Sequence, residues 1–208
     1  LDQVAAVKHI EMLFGDELDA AQMDAANQVA GSGIPRAVRL REYQKTGIQD
    51  PTDEDFQFML EIQRLFEVGL SDNQQALTYL TETRGHSATV LKEEGVGYVA
   101  GSLRVMLGAK GNKAKLDRLE RYGLLTEKRK DIAMAGLISF PLRDVEGRVC
   151  GFRFKDPRKQ QMAQQRRNGI LGDTPFLGMH TLKDLPEASR VMLVEGEHDW
   201  CSVRGAGW

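Results

Sequence analysis

The sequence predicts an α+β fold in three parts: a helical N-terminal region over 1–70, a mixed α/β subdomain over 71–185, and the opening strand and helix of a further α/β domain over 186–208. Three observations predict it. Apolar residues recur at helical spacing in the first seventy positions. Two strand-like runs flank a short glycine-containing turn at 144–147. A continuous apolar run at 191–194 ends in Glu-Gly, as a strand buried on both faces does.

Taken in order, Val4, Val7, Ile10, Leu13 and Phe14 mark a first helical stripe, and Ala20 to Ala30 is rich in helix formers before Gly31-Ser32-Gly33-Ile34-Pro35 breaks the pattern. Asp50-Pro51 reads as a helix start, with Asp50 as N-cap and Asp53, Glu54 and Asp55 near the positive end of the dipole. Its stripe runs through Phe56, Met59, Leu60, Leu65 and Phe66, and Gly69 reads as its stop. Ala76, Leu77, Tyr79 and Leu80 form one helical face ending at Arg84-Gly85, and Ser87 caps a short helix through Val90 and Leu91. Gly95 to Val99 reads as a strand or turn, and Leu116 with Leu119 marks a helix ending at Tyr122-Gly123. Residues 137–143 and 148–154 form the hairpin arms, and Pro141 places the first at a sheet edge or bulge. The polar stretch from Lys155 to Asn168 reads as a loop or an exposed helix.

Composition excludes some classes. With 41% hydrophobic and 28% charged residues the 208-residue chain is an ordinary globular sequence, and no run approaches the length of a membrane span. A start at Leu1, with neither signal nor transit peptide, suggests a chain cut from something longer. Cys150 and Cys201 have no CxxC partner, and His9, His86, His180 and His198 lack the tight spacing of a zinc site. Reduced thiols and a cytoplasmic setting are expected. A net charge of −2 points to no partner by itself.

The chemistry is expected at Val194-Glu195-Gly196-Glu197-His198-Asp199. A carboxylate at the C-terminal edge of a buried parallel strand sits where α/β folds collect ligands, and glycine there permits a sharp turn. Glu195 and Asp199, four residues apart, are placed to hold a divalent metal or to act as acid and base in phosphoryl transfer. The plain alternative is a strand–turn–helix with solvated acids.

The order of segments upstream resembles the DnaG-type DNA primase family over about residues 75–208. Ala76-Leu77-Thr78-Tyr79-Leu80 with Arg84-Gly85-His86-Ser87 is similar to that family's "A..YL..RGLS" segment. Gly95 to Val99 resembles "F.IGYAP", Tyr122-Gly123-Leu124-Leu125 resembles "AGLL", and Ile138 to Leu142 with Gly147 to Phe152 resembles "R..FPI.D..GRVIGFGGR". Asp173-Thr174-Pro175-Phe176 falls at "PET..F.K", and Glu195-Gly196 with Asp199 resembles the opening motif of a TOPRIM domain, "VEGY.D". Phage primase–helicases share part of this plan.

The resemblance implies a catalytic-core subdomain beside the start of a TOPRIM domain. It implies synthesis of short RNA primers on single-stranded DNA from nucleoside triphosphates, with Mg2+ or Mn2+ on TOPRIM acids and a fused or separate replicative helicase as a further partner. Zinc belongs only to a module this chain does not contain. By position, Glu195 is the catalytic acid–base group or metal ligand, Asp199 supports the same metal, and Arg84, Arg148, Arg153, Lys155 and Arg167 face nucleic acid or nucleotide. The "KYLNS" run is replaced by Arg167-Asn168-Gly169-Ile170-Leu171, "GFGGR" by Gly151 to Lys155, and the later Asp-x-Asp acids fall outside the chain. A degenerate nucleic-acid-binding or helicase-associated module, and another TOPRIM enzyme such as a topoisomerase or nuclease, are the competing readings.

Overall fold

The computed structural model describes residues 47–158, 162–172, 177–186 and 191–207. The expected helices between Val4 and Ala30, the break at 31–35 and the Asp173–Phe176 segment lie outside the described residues, as do the side chains of residues 162–164 and Arg167.

Helix α1 spans Asp53–Ser71. It starts later than Asp50-Pro51 suggests, because Thr52 and Asp55 form a capping box. The Thr52 hydroxyl accepts the Asp55 N–H at 3.3 Å, and the Asp55 carboxylate accepts the Thr52 N–H at 2.8 Å. Two backbone donors are satisfied reciprocally, whereas Asp50 has a left-handed φ of 51°. Gly69 is not a stop either. The helix runs past it to Ser71, and a Cβ at Gly69 would lie 2.3 Å from the Tyr98 carbonyl oxygen. Glycine is required there by the close approach of a strand backbone.

That strand is β1 (Gly97–Tyr98), at one side of an antiparallel sheet that continues through β2 (Ile138–Arg143), β3 (Val149–Lys155) and β4 (Met162–Gln164), in that order among the described residues. The fold is α+β, with the hairpin where the sequence puts it. β1 pairs only with Ile138 and Ser139, so β2 is an edge at Pro141, and the β2–β3 register shifts between Leu142 and Arg143. The proline therefore sits beside both an edge and a bulge. β4 is a departure from the loop or exposed helix expected over 155–168: it pairs Met162, Ala163 and Gln164 with β3. The free backbone groups of β3 supply the ladder that the polar sequence does not advertise.

Helices α2 (Gln74–Thr78), α3 (Ala88–Glu93), α4 (Leu103–Met106) and α5 (Lys113–Arg121) surround the sheet. α2 runs directly into a π-helical turn at Tyr79–Thr83. On one face of the sheet, the α1 stripe of Phe56, Met59, Ile62 and Phe66 packs against Phe152 and Phe154 of β3. The Phe66 ring meets those two edge-on at 5.4 and 5.9 Å. Side chains alternate along a strand, so Arg153 and Lys155 point to the other face, beside their cross-strand partners Phe140 and Ile138. That second face is covered by Leu80, Val90, Leu91 and the final helix α6 (Glu197–Gly205), which inserts Cys201.

The stretch before α6 corrects the sequence reading. Val191 to Val194 form no strand and are exposed, Leu193 at 75%. A strand buried on both faces needs a sheet to join and layers to cover it, and none of the described strands pairs with this run.

Candidate functional site

The site is built where α6 meets the hairpin. Gly196 is the helix N-cap, with Glu197 and Asp199 in the first turn. A Cβ at Gly196 would lie 3.2 Å from the Asp199 carboxylate, so the glycine keeps the turn open beside that acid. Glu195, just before it, is exposed, and Asp199 is exposed one turn on. Both acids are exposed at the start of one helix, but the buried strand expected to carry Glu195 is not formed. Among the described residues no third His, Cys, Asp or Glu joins them in a metal-binding group.

Glu197 lies between them and is almost completely buried, at 2% exposure. Arg153 Nε stands 2.8 Å from its Oε1 and Lys155 Nζ 3.7 Å from its Oε2. The Arg153 contact is an ion pair rather than a hydrogen bond, because the N–H is not aligned on Oε1. Two of the expected cations are thus brought to the acidic turn by a residue that sequence reasoning did not single out. Its only signal was a second glutamate in the Glu-Gly-Glu-His-Asp run.

A histidine pair, also missed, lies beside this contact. His86 Nε2 and His198 Nδ1 are 2.9 Å apart, with their rings stacked at 5.2 Å. Phe140 and Tyr79 pack edge-on against His198 at 5.7 and 6.2 Å. Burial, then the charges of Arg84, Lys155 and His86, lower the His198 pKa to about 3. His86 is also lowered, by burial and Arg84, against the opposing pull of Asp199. A second buried acid, Glu94, holds the far end of α6: Arg204 Nε donates to it at 2.9 Å and Trp200 Nε1 at 3.4 Å.

A groove of about 360 Å³ runs beside Lys155, lined by Tyr79, Thr83, Arg84, Asp156, Pro157 and Arg158. Arg84 closes the π turn, its Nε donating to the Tyr79 hydroxyl at 2.8 Å and its guanidinium 5.5 Å from that ring. Among the expected nucleic-acid residues, Arg84 and Lys155 line this groove and Arg153 lies on the same face of β3. Arg148 is elsewhere. It clasps the hairpin turn through Asp144 at 2.8 Å and Glu146 at 3.7 Å and covers the Phe56 ring at 4.0 Å. The Arg167 backbone lies in a 3-10 turn, Arg167–Gly169, following β4.

The fold is similar to part of a DNA primase catalytic core. A DnaG catalytic core superposes with a TM-score of 0.55 and 23% identity over 74% of this chain, and the Escherichia coli primase core with 0.52 and 21% over 73%. A DnaG primase catalytic domain bound to single-stranded DNA matches at 0.48 and 24%, over 56% of this chain and 38% of its own. The chain spans about half of the first two cores, 51% of each. No protein-family model and no curated protein sequence matches it.

Proposed function

We propose that this chain is part of a DNA primase, a nucleotidyltransferase that makes short RNA primers on single-stranded DNA from nucleoside triphosphates. The observation that carries this reading is the meeting of an acidic helix start with a basic strand: Glu195 and Asp199 flank the buried Glu197, which faces Arg153 and Lys155. An enzyme that joins nucleotides along a template needs cations for phosphates and carboxylates at the reacting centre, side by side.

In this reading Arg84, Lys155 and Arg153 hold phosphates of template or nucleotide, and Tyr79 offers the groove an aromatic face on which a base stacks. Arg167 is a further nucleic-acid or nucleotide contact in the same reading. Glu195 acts as the acid–base group at the attacking or leaving oxygen or as a metal ligand, and Asp199 supports the same cluster. Glu195 and Asp199 are the residues that would hold Mg2+ or Mn2+, and a site of one or two carboxylates that shares the ion with substrate phosphates suits Mg2+. When bound, the ion neutralises triphosphate charge. The TOPRIM assignment of α6, a replicative helicase partner and a cytoplasmic setting belong to the same reading. No described helix is long and apolar enough to cross a membrane.

Binding of labelled single-stranded DNA to this chain tests the surface. Arg84→Glu with Lys155→Glu is expected to lower affinity on the order of 100-fold at moderate salt; unchanged affinity would remove this groove from recognition. Primer synthesis by the longest natural polypeptide containing the chain tests the chemistry. Products that vanish with Glu195→Gln support the primase, and binding without any product from folded protein points to a non-catalytic binding module.

A further inference from the structure

We infer that Glu197 is an internal counter-ion that limits how tightly Arg153 and Lys155 hold phosphate. The inference rests on the nucleic-acid reading above. It adds to that reading a device that keeps binding weak enough to exchange.

A buried carboxylate is costly unless paired, and Glu197 is paired with two cations from a different element. Those cations are not buried with it: the Arg153 side chain keeps 30% and the Lys155 side chain 22% of its surface in solvent. Each therefore has one side turned to the carboxylate and another open to a ligand. Two positive charges against one negative leave a net single charge, so an incoming phosphate meets half the attraction that the two cations offer alone. The misalignment of the Arg153 N–H on Oε1 means that no directed hydrogen bond has to be broken when a phosphate draws the guanidinium outward. Arg84, by contrast, has an aromatic and a hydroxyl partner in Tyr79 and no carboxylate among the described residues.

Glu197→Gln keeps the shape of the side chain and removes its charge. The variant is expected to bind single-stranded DNA about tenfold more tightly at low salt, with the slope of log affinity against log salt steeper by about 0.7, the value for one further neutralised phosphate. The gain should disappear when Arg153→Gln and Lys155→Gln are added. A wild-type chain that binds no single-stranded DNA defeats the underlying reading and this inference with it. A wild type that binds, with a folded Glu197→Gln variant of equal or weaker affinity, overturns the inference alone. Should Glu197→Gln fail to fold by circular dichroism, the wild-type background gives the answer. There Arg153→Gln is expected to flatten the salt slope by less than half as much as Arg84→Gln, and an equal loss overturns the proposal.

Discussion

Arg148, just before β3, and Arg153 and Lys155, near its far end, are the same kind of side chain used differently. At the turn end, Arg148 meets Asp144 and Glu146, acids from the same hairpin, and lies over Phe56. At the other end, Arg153 and Lys155 meet Glu197, an acid from a helix distant in sequence, and Lys155 borders the groove. A cation answered by its immediate chain neighbours stabilises a local shape. A cation answered from far away joins two parts of the molecule, and its open side is available for chemistry.

The most disruptive test removes the platform under both ends. Gly69→Ala drives a Cβ into the Tyr98 carbonyl and should cost about 3 kcal/mol by chemical denaturation, since backbone on both sides resists the shift. Both ends of β3 should then lose protection together. Next, Arg148→Ala should lower stability by about 1 kcal/mol through lost packing on Phe56 and a weakened turn, with DNA affinity within twofold of wild type. Lys155→Ala should weaken binding several-fold and, because it strips the buried Glu197 of one of its two cations, should lower the melting temperature as well. If Arg148→Ala weakens binding as much as Lys155→Ala does, the two ends are not distinct.

The mildest test is acid. Folded His198 takes its proton only near pH 3, whereas in the unfolded chain a histidine does so near 6.5. Between these values the unfolded chain binds more protons, so the histidine contribution is complete above about pH 6.5 and declines as pH falls toward 3. Hydrogen exchange at pH 5 against pH 7, corrected for intrinsic rates, should show α6 losing protection before the hairpin turn. Equal loss at both places would detach the histidine pair from α6 docking.

Legibility in the sequence follows the range of each interaction. The hairpin was readable because strand formers and a glycine turn lie within one short segment, and Tyr122-Gly123 because a left-handed glycine ends α5 there. The α1 stripe was readable too, but not the surface it faces, nor that Gly69 serves β1. β4 was hidden because its strand character comes from pairing with β3, and the three residues Met162–Gln164 sit within a polar stretch and make no strand-like run of their own. Val191 to Val194 misled for the opposite reason: apolar content promised burial, and burial needs neighbours. At the site, Glu195 and Asp199 were marked by their spacing around a glycine. The Glu197 contacts and the His86–His198 pair join residues with no local pattern between them, the histidines 112 positions apart.

A π turn is an α-helix carrying one additional residue, and here it spans Tyr79–Thr83, just before Arg84. An α-helix advances about 100° per residue. Deleting a single residue from this turn would restore a regular helix and rotate Arg84 away from the wall that it shares with Tyr79. The length of this segment therefore tunes the groove as strongly as the chemistry of its side chains, and a one-residue insertion or deletion is a short route by which a helix gains or loses a groove-lining arginine.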